Sequence, residues 1–217
     1  MLSMITIIVL SYLAGSIPTS IICSKLFRGI DLREHGSGNA GGTNAIRVLG
    51  WKIGVFVMLI DVGKGVLATL LISQIRIDPV DLSPNIVQII AGMSAIFGHI
   101  WTIFAGFKGG KGVGTAAGML FALYPIAGFV CLVIFFLVLL TTRYVSLSSM
   151  SAAVAFPIVV LLFKNWRGYS GELIYFAVFI AVLIVFTHRS NIKRLLKGEE
   201  SKAGRKKPGE DLHEINK

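Results

Sequence analysis

The chain has 217 residues, 54% of them hydrophobic and 15% charged, with a mean hydropathy of +0.78. Soluble domains carry about 45–50% apolar and about 25% charged residues. This composition therefore excludes an ordinary soluble domain and, still more, a disordered chain, which needs low hydrophobicity. The 21 Lys+Arg against 11 Asp+Glu would suit nucleic acid in a polar protein. In so apolar a chain the excess marks cytoplasmic loops and a lipid surface instead. An all-α, polytopic integral membrane protein is expected, with no nucleic acid among its partners.

A bilayer core of about 30 Å needs roughly 20 apolar residues in a helix. In chain order the candidate spans are 4–24, 53–75, 84–105, 112–123, 125–142, 144–164 and 172–187. The first has no Lys or Arg ahead of its apolar run, which reads as a retained span and not a cleaved signal. The stretch 112–142 is long for one span and short for two, and Pro125 inside it ends or kinks a helix.

Loop charge decides the count. With the N-terminus outside and about seven transmembrane helices, the inner face receives Lys25, Arg28, Arg33, Arg47, Lys52, Lys108, Lys111, Arg143 and the basic residues from Arg189 onward. The outer face keeps Arg76, Lys164 and Arg167. Merging 112–142 would send the basic C-terminus outside, against the positive-inside rule. A five-span arrangement with two re-entrant or interfacial stretches keeps the same inner face. Residues 1–198 then form the membrane-embedded domain, and 199–217 a polar, disordered cytoplasmic tail. Cys23 and Cys131 lie in apolar stretches without CxxC spacing and read as small core hydrophobes.

Three polar, glycine-rich segments break the apolar pattern: 35–47 (HGSGNAGGTNAIR), 98–99 with 107–115 (GH and FKGGKGVGT), and 188–200 (HRSNIKRLLKGEE). The expected topology puts all three on the cytoplasmic face. Glycines let consecutive backbone N–H groups turn toward one oxyanion, and a following helix N-terminus adds partial positive charge. Ser37, Asn39, Thr43 and Asn44 offer neutral contacts, while Arg47, Lys108 and Lys111 supply formal charge. Three such segments on one face point to a phosphate cradle rather than to flexible loops.

Several familiar sites fail on inspection. A Walker A loop needs Ser or Thr after the lysine and a glycine where Ala105 stands. His35, His99, His188 and His213 show no zinc-ligand spacing, and no GxSxG elbow occurs. No metal and no cofactor are expected. Asp61 and Lys64, at i,i+3 inside the second span, read first as an ion pair near the inner cavity, with lining or catalytic roles as alternatives. An organic-phosphate or anion transporter would need the same basic cavity, but no internal repeat is visible to support one.

The motifs GSGNAGGTNAIR, FKGGKGVGT and HRSNIKRLLKGEE, in that order, with DVGKG at 61–65 and TRYVSLSS at 141–149, resemble those of the bacterial acyl-phosphate:glycerol-3-phosphate acyltransferase family. The match runs from the first span to about Glu200. The departures, Ala40-Gly41-Gly42 and Gly114, are small. The resemblance implies seven helices, an active site on the cytoplasmic side of the cell membrane, and a membrane lipid environment. It implies transfer of a fatty acyl group from acyl phosphate to the 1-hydroxyl of glycerol 3-phosphate. The products would be lysophosphatidic acid and phosphate, in the first step of phospholipid synthesis. A soluble acyl-phosphate-producing acyltransferase is implied as supplier.

The resemblance implies catalytic roles for Ser37, Lys108, His188 and Asn191. It implies phosphate binding by Gly38, Asn39, Thr43, Asn44, Arg47, Gly109, Gly110, Lys111, Gly112, Ser146 and Arg194, with the division between Lys108 and Lys111 open. The HxxxxD motif of many acyltransferases is absent. The glycerol hydroxyl proton could then pass to the acyl phosphate's own oxygen, with His188 and Asn191 orienting the acceptor, or to His188 as general base.

Overall fold

The structure, a computed structural model, describes residues 1–167 and 171–204. The expectations for Lys164 and Arg167, for His213 and for tail residues 205–217 fall outside the described residues and side chains. The described residues form ten α-helices and three short 3-10 turns, without strands.

The first span is interrupted. Helix α1 (Leu2–Ser16) gives way at Ile17–Pro18 to α2 (Thr19–Arg28), because proline has no N–H to continue the ladder. Carbonyls freed inside a bilayer need new donors, and side chains from elsewhere supply them. Thr102 Oγ1 donates to the Ser16 carbonyl, and Lys64 Nζ donates to that of Ile17 at 2.6 Å. Gly29, in the left-handed conformation, then ends α2.

The amphipathic α3 (Gly42–Leu49) leads into α4 (Trp51–Leu70), followed by α5 (Pro84–Ile100) and α6 (Val113–Leu123). Helices α1 and α5 pack closely, as do α4 and α6. A Cβ at Gly15 or Gly98 would run into the backbone of α5 or α1, and one at Gly65 or Gly118 into the backbone of α6 or α4. Small residues at helix crossings allow this approach where lipid offers no hydrophobic drive. Large apolar side chains such as Phe129, Leu140 and Leu162 point outward, whereas Ser3, Ser11, Thr69 and Thr115 are buried.

Pro125 separates α6 from α7 (Pro125–Thr142), so 112–142 forms two helices. The chain continues with α8 (Val145–Arg167), α9 (Gly171–Thr187) and α10 (Arg189–Leu196). Among the described residues, five stretches are long and apolar enough to cross a membrane. They are Leu2–Arg28, Trp51–Gln74, Pro84–Ala105, Pro125–Thr142 and Val145–Phe163. A sixth is added if Leu173–Thr187 and Arg189–Leu196, bent by 59°, count as one. The difference from the expected seven lies in α6, whose 11 residues span only about 16 Å at 1.5 Å per residue, half of the hydrocarbon core.

One ion pair holds the middle of the bundle. Asp61 Oδ1 accepts from Lys64 Nζ at 2.7 Å, with the two side chains 7% and 5% exposed, and His99 Nδ1 lies 3.6 Å from the same oxygen. Removing one partner of a buried pair strands the other. Asp61→Leu is therefore expected to lower the melting temperature in detergent, and Asp61→Leu/Lys64→Met to restore little of it, because Lys64 also satisfies the Ile17 carbonyl. An unchanged melting temperature in Asp61→Leu would show the pair to be structurally idle.

Candidate functional site

The polar segments converge at one end of the bundle. Segment 29–41 folds through a local ion pair. Arg33 donates from Nη2 to Asp31 Oδ2 at 2.7 Å, and Asp31 Oδ1 accepts from the Arg33 backbone N–H at 3.0 Å. The Arg33 side chain pulls the Asp31 carboxyl down to about 2. Arg33 Nη1 also donates to the Ala105 carbonyl at 2.8 Å, tying this segment to the next.

Asn44 braces the turn. Its amide donates to the carbonyls of Leu32 and His35, at 3.2 and 3.0 Å, and its Oδ1 accepts from the Ser37 N–H at 2.9 Å. The residue is 2% exposed. Asn44 thus shapes the 35–44 turn with the polar atoms that sequence reasoning assigned to phosphate.

Segment 106–112 doubles back on the end of α5. The N–H groups of Gly109 and Gly110 donate to the carbonyls of Ile100 and His99, each at 3.0 Å. A Cβ on Gly109 would strike the His99 carbonyl, and one on Gly110 the His99 imidazole. Close approach to α5 therefore explains these glycines. The fold-back aims Lys111 inward and leaves Lys108 exposed. Thr187 Oγ1 donates to the Lys111 carbonyl at 3.1 Å, fixing this segment to the end of α9.

The third segment is organised by Glu200. Its Oε1 accepts from Ser146 Oγ at 2.7 Å and Asn191 Nδ2 at 2.6 Å, and its Oε2 from Arg194 Nε at 2.7 Å. Burial pushes this carboxyl up, but the donors Ser146, Asn191 and Arg194 outweigh it and hold it below the usual range. Asn191 Oδ1 accepts from Lys111 Nζ. His188 caps α10, and its Nδ1 lies 2.7 Å from the Ile184 carbonyl. A carbonyl only accepts, so Nδ1 carries the hydrogen and Nε2 keeps a lone pair in the neutral ring.

These walls enclose a cavity of about 1080 Å³. Its mouth is lined by Ser37, Asn39, Thr43, Asn44 and Arg47 from the first segment, by Lys111 from the second, and by Ser146, His188, Asn191 and Arg194 from the last helices. Gly38, Lys108, Gly109, Gly110 and Gly112 do not line it. Asp61, for which sequence offered a lining role as an alternative, does; so do Glu200, Lys202, His99 and Ser149, which were not among the site residues expected from sequence. Residues 200–204 belong to the cavity wall, although sequence alone placed them in the polar tail. The signal for Glu200 was thin: a glutamate six residues after Arg194 in a charged stretch.

Charge in the mouth is unbalanced. Asp61 is taken by Lys64 and Glu200 by Arg194, while Arg47 has no hydrogen-bond partner among the described residues. Burial, reinforced by Arg194 and Arg47 and opposed by Glu200, pushes the Lys111 ammonium down to about 8. Such crowding of cations around an open space is costly unless anions fill it. No group of three or more His, Cys, Asp or Glu side chains able to hold a metal occurs among the described residues.

The remaining walls are apolar, so the cavity has a cationic mouth and an apolar limb between α6, α7, α8 and α9. Comparison with known proteins finds the same fold. The sequence model of the glycerol-3-phosphate acyltransferase family matches residues 5–198. The glycerol-3-phosphate acyltransferases of Chlorobaculum tepidum and Chlorobium limicola are each 46% identical to this chain, covering 93% of it and 97% of their own length. The crystal structure of PlsY (YgiH), an integral membrane glycerol 3-phosphate acyltransferase, in its glycerol 3-phosphate form superposes with a TM-score of 0.81 at 38% identity. The lysophosphatidic acid form gives 0.78 at 37%. Both alignments cover 93% of this chain and 96% of the other.

Proposed function

The chain belongs to the glycerol-3-phosphate acyltransferase family, an acyltransferase of phospholipid biosynthesis, and on that premise we propose that its acyl donor is acyl phosphate. In this reading it acylates the 1-hydroxyl of glycerol 3-phosphate in the first step of the pathway. One observation carries the reading: a single cavity joins a mouth with surplus cations to an apolar limb. A donor with a phosphate head and a fatty tail, beside a second phosphate, fits both ends.

The chemistry then asks little of the protein beyond placement. The glycerol hydroxyl oxygen attacks the acyl carbonyl carbon, an ester C–O bond forms, and the anhydride C–O bond breaks to release phosphate. The hydroxyl proton passes to an oxygen of the departing phosphate. Arg47, Lys111 and Arg194 hold the two anionic heads together, which removes most of the entropic cost of bringing them into contact. The same cations stabilise charge growing on the leaving phosphate. Ser37, Asn39, Thr43 and Ser146 orient the heads by neutral contacts, whereas Lys108, expected from the resemblance to be catalytic, is exposed outside the cavity and in this reading only steers substrate toward it. The glycines 109, 110 and 112 act by shaping the segment that carries Lys111. His188 and Asn191 orient glycerol 3-phosphate. Turnover by His188→Gln is expected to fall about tenfold, against the 100- to 10,000-fold that loss of a general base would bring.

The site end of the molecule carries Lys25, Arg28, Lys52 and Arg143 as well as the site cations, which supports a cytoplasmic active site in the inner or plasma membrane. In that arrangement the N-terminus is outside, α6 counts as a short seventh span, and a soluble enzyme delivers acyl phosphate from the cytoplasm. Phosphate release from acyl phosphate by the purified protein tests the function. It is expected to depend on glycerol 3-phosphate; release without that acceptor, or none, would refute it.

Lys111 adds a pH signature. Its ammonium is protonated below about 8, so kcat/KM is expected to decline as pH rises through that value, since this parameter reports the free enzyme. Lys111→Arg should move the alkaline limb beyond pH 10. Because the folded pKa is lowered, the unfolded chain binds the extra proton between about 8 and 10.5, so this group's contribution to stability rises with pH across the same window. A limb that stays put in Lys111→Arg would assign it to another group.

A further inference from the structure

The apolar limb has a closed end, and its position follows from four helices that share the mouth. Helices α6 and α8 start there, and α7 and α9 finish there. Lining residues far from the mouth are Phe121, Tyr124, Gly128, Phe156 and Leu173. Tyr124, Phe156 and Leu173 are buried, so the deep end of the limb is packed side chains, while Leu132 and Phe136 of α7, nearer the mouth, line the limb and are also exposed on the bundle surface. Gly128 leaves its place to the Phe121 ring: a Cβ there would stand 2.9 Å from a ring carbon.

We infer that this closed end, built by Tyr124, Gly128 and Leu173 with Phe121 beside them, is a ruler that sets the longest acyl chain the donor carries. The inference rests on the acyl-phosphate reading above and deepens it. From His188 to Leu173 along α9 the limb is about 22 Å deep at 1.5 Å per residue. From Arg143 back to Gly128 along α7 the measure is the same, whereas from Val113 to Tyr124 along α6 it is about 16 Å. An extended chain advances about 1.2 Å per single bond, so the limb holds about 13–18 bonds. An acyl chain of roughly 14–18 carbons fills it when the head lies at His188 and Asn191. Shorter chains leave apolar wall unfilled, and longer ones meet Leu173.

The test measures phosphate release with glycerol 3-phosphate and three donors: dodecanoyl, hexadecanoyl and eicosanoyl phosphate. Both donors of each ratio meet one preparation, so loss of folded enzyme cancels. The unaltered protein is expected to favour hexadecanoyl over eicosanoyl phosphate about tenfold, a discrimination within reach of one or two methylenes against a packed wall. Gly128→Leu, which thrusts a side chain or the Phe121 ring into the limb, should lower the hexadecanoyl-to-dodecanoyl ratio about tenfold. Leu173→Ala, which deepens the limb, should raise the eicosanoyl-to-hexadecanoyl ratio about fivefold. If both variants keep the original ratios while all donors are turned over, the chain lies in lipid and the ruler is wrong. If the unaltered protein turns over none of the three, the acyl-phosphate reading falls and takes the ruler with it.

Discussion

Arg47→Met is expected to lower kcat/KM for glycerol 3-phosphate by about 100- to 1000-fold, the range seen when one preorganised donor to developing negative charge is lost. The expected melting temperature barely moves. Both halves follow from one observation: the half-buried guanidinium lines the cavity and has no hydrogen-bond partner among the described residues. Removing it breaks nothing within the protein, so the loss falls on the substrate. It also relieves cationic crowding at Lys111, whose ammonium Arg47 helps to push down. The alkaline limb of activity in Arg47→Met should therefore shift upward from about 8. Arg47→Lys should recover only part of the activity, because a point charge lacks the planar fork that grips phosphate. Near-normal kcat/KM in Arg47→Met would remove the residue from the site.

Glu200→Ala is expected to do the opposite, lowering stability and activity together. Its carboxylate, 8% exposed, is the shared acceptor for Ser146, Asn191 and Arg194. Truncation leaves three donors unsatisfied and Arg194 without its counterion. Because the Arg194 side chain is 32% exposed and the freed donors face the cavity, the cost is about 1–2 kcal/mol rather than that of a fully buried pair. Asn191 would then lose the contact that holds it toward Lys111, and activity should fall at least about 100-fold, the scale of misplacement in a site that works by positioning. Glu200→Gln keeps acceptor atoms without the charge and should lie between. Thermal unfolding in detergent and phosphate release, measured on the same samples, check the pair of effects. If Glu200→Ala loses activity while keeping its melting temperature, the residue contacts substrate instead of bracing the wall.

The contrast between these residues marks how far sequence could go. Arg47 and Lys111 stood in glycine-rich breaks between apolar runs, where composition flags an anion site, His188 and Asn191 were picked out by the family resemblance, and all four line the cavity. Lys108 shares the same local pattern as Lys111. Only the fold-back of 109–112 onto α5 separates them, turning one inward and leaving the other exposed. Asn44 carried the right chemistry, but its amide is consumed by the turn it stabilises. Its bonds run to residues seven to twelve positions earlier, which spacing does not reveal.

The hydrophobic pattern by itself determined that the chain is a bundle of membrane helices, because bilayer thickness demands long apolar runs and water-free surroundings demand helices. The motifs in the polar breaks carried the resemblance to the family, which the comparisons show, and pointed to anionic ligands. Tertiary structure alone decided that α6 spans only half the core, that Glu200 leaves the polar tail to brace the wall, and that four apolar helices line one limb of the cavity. The reason is physical: periodicity and composition report each segment's preference for oil or water. Which side chain meets which is settled by close packing between segments far apart in the chain.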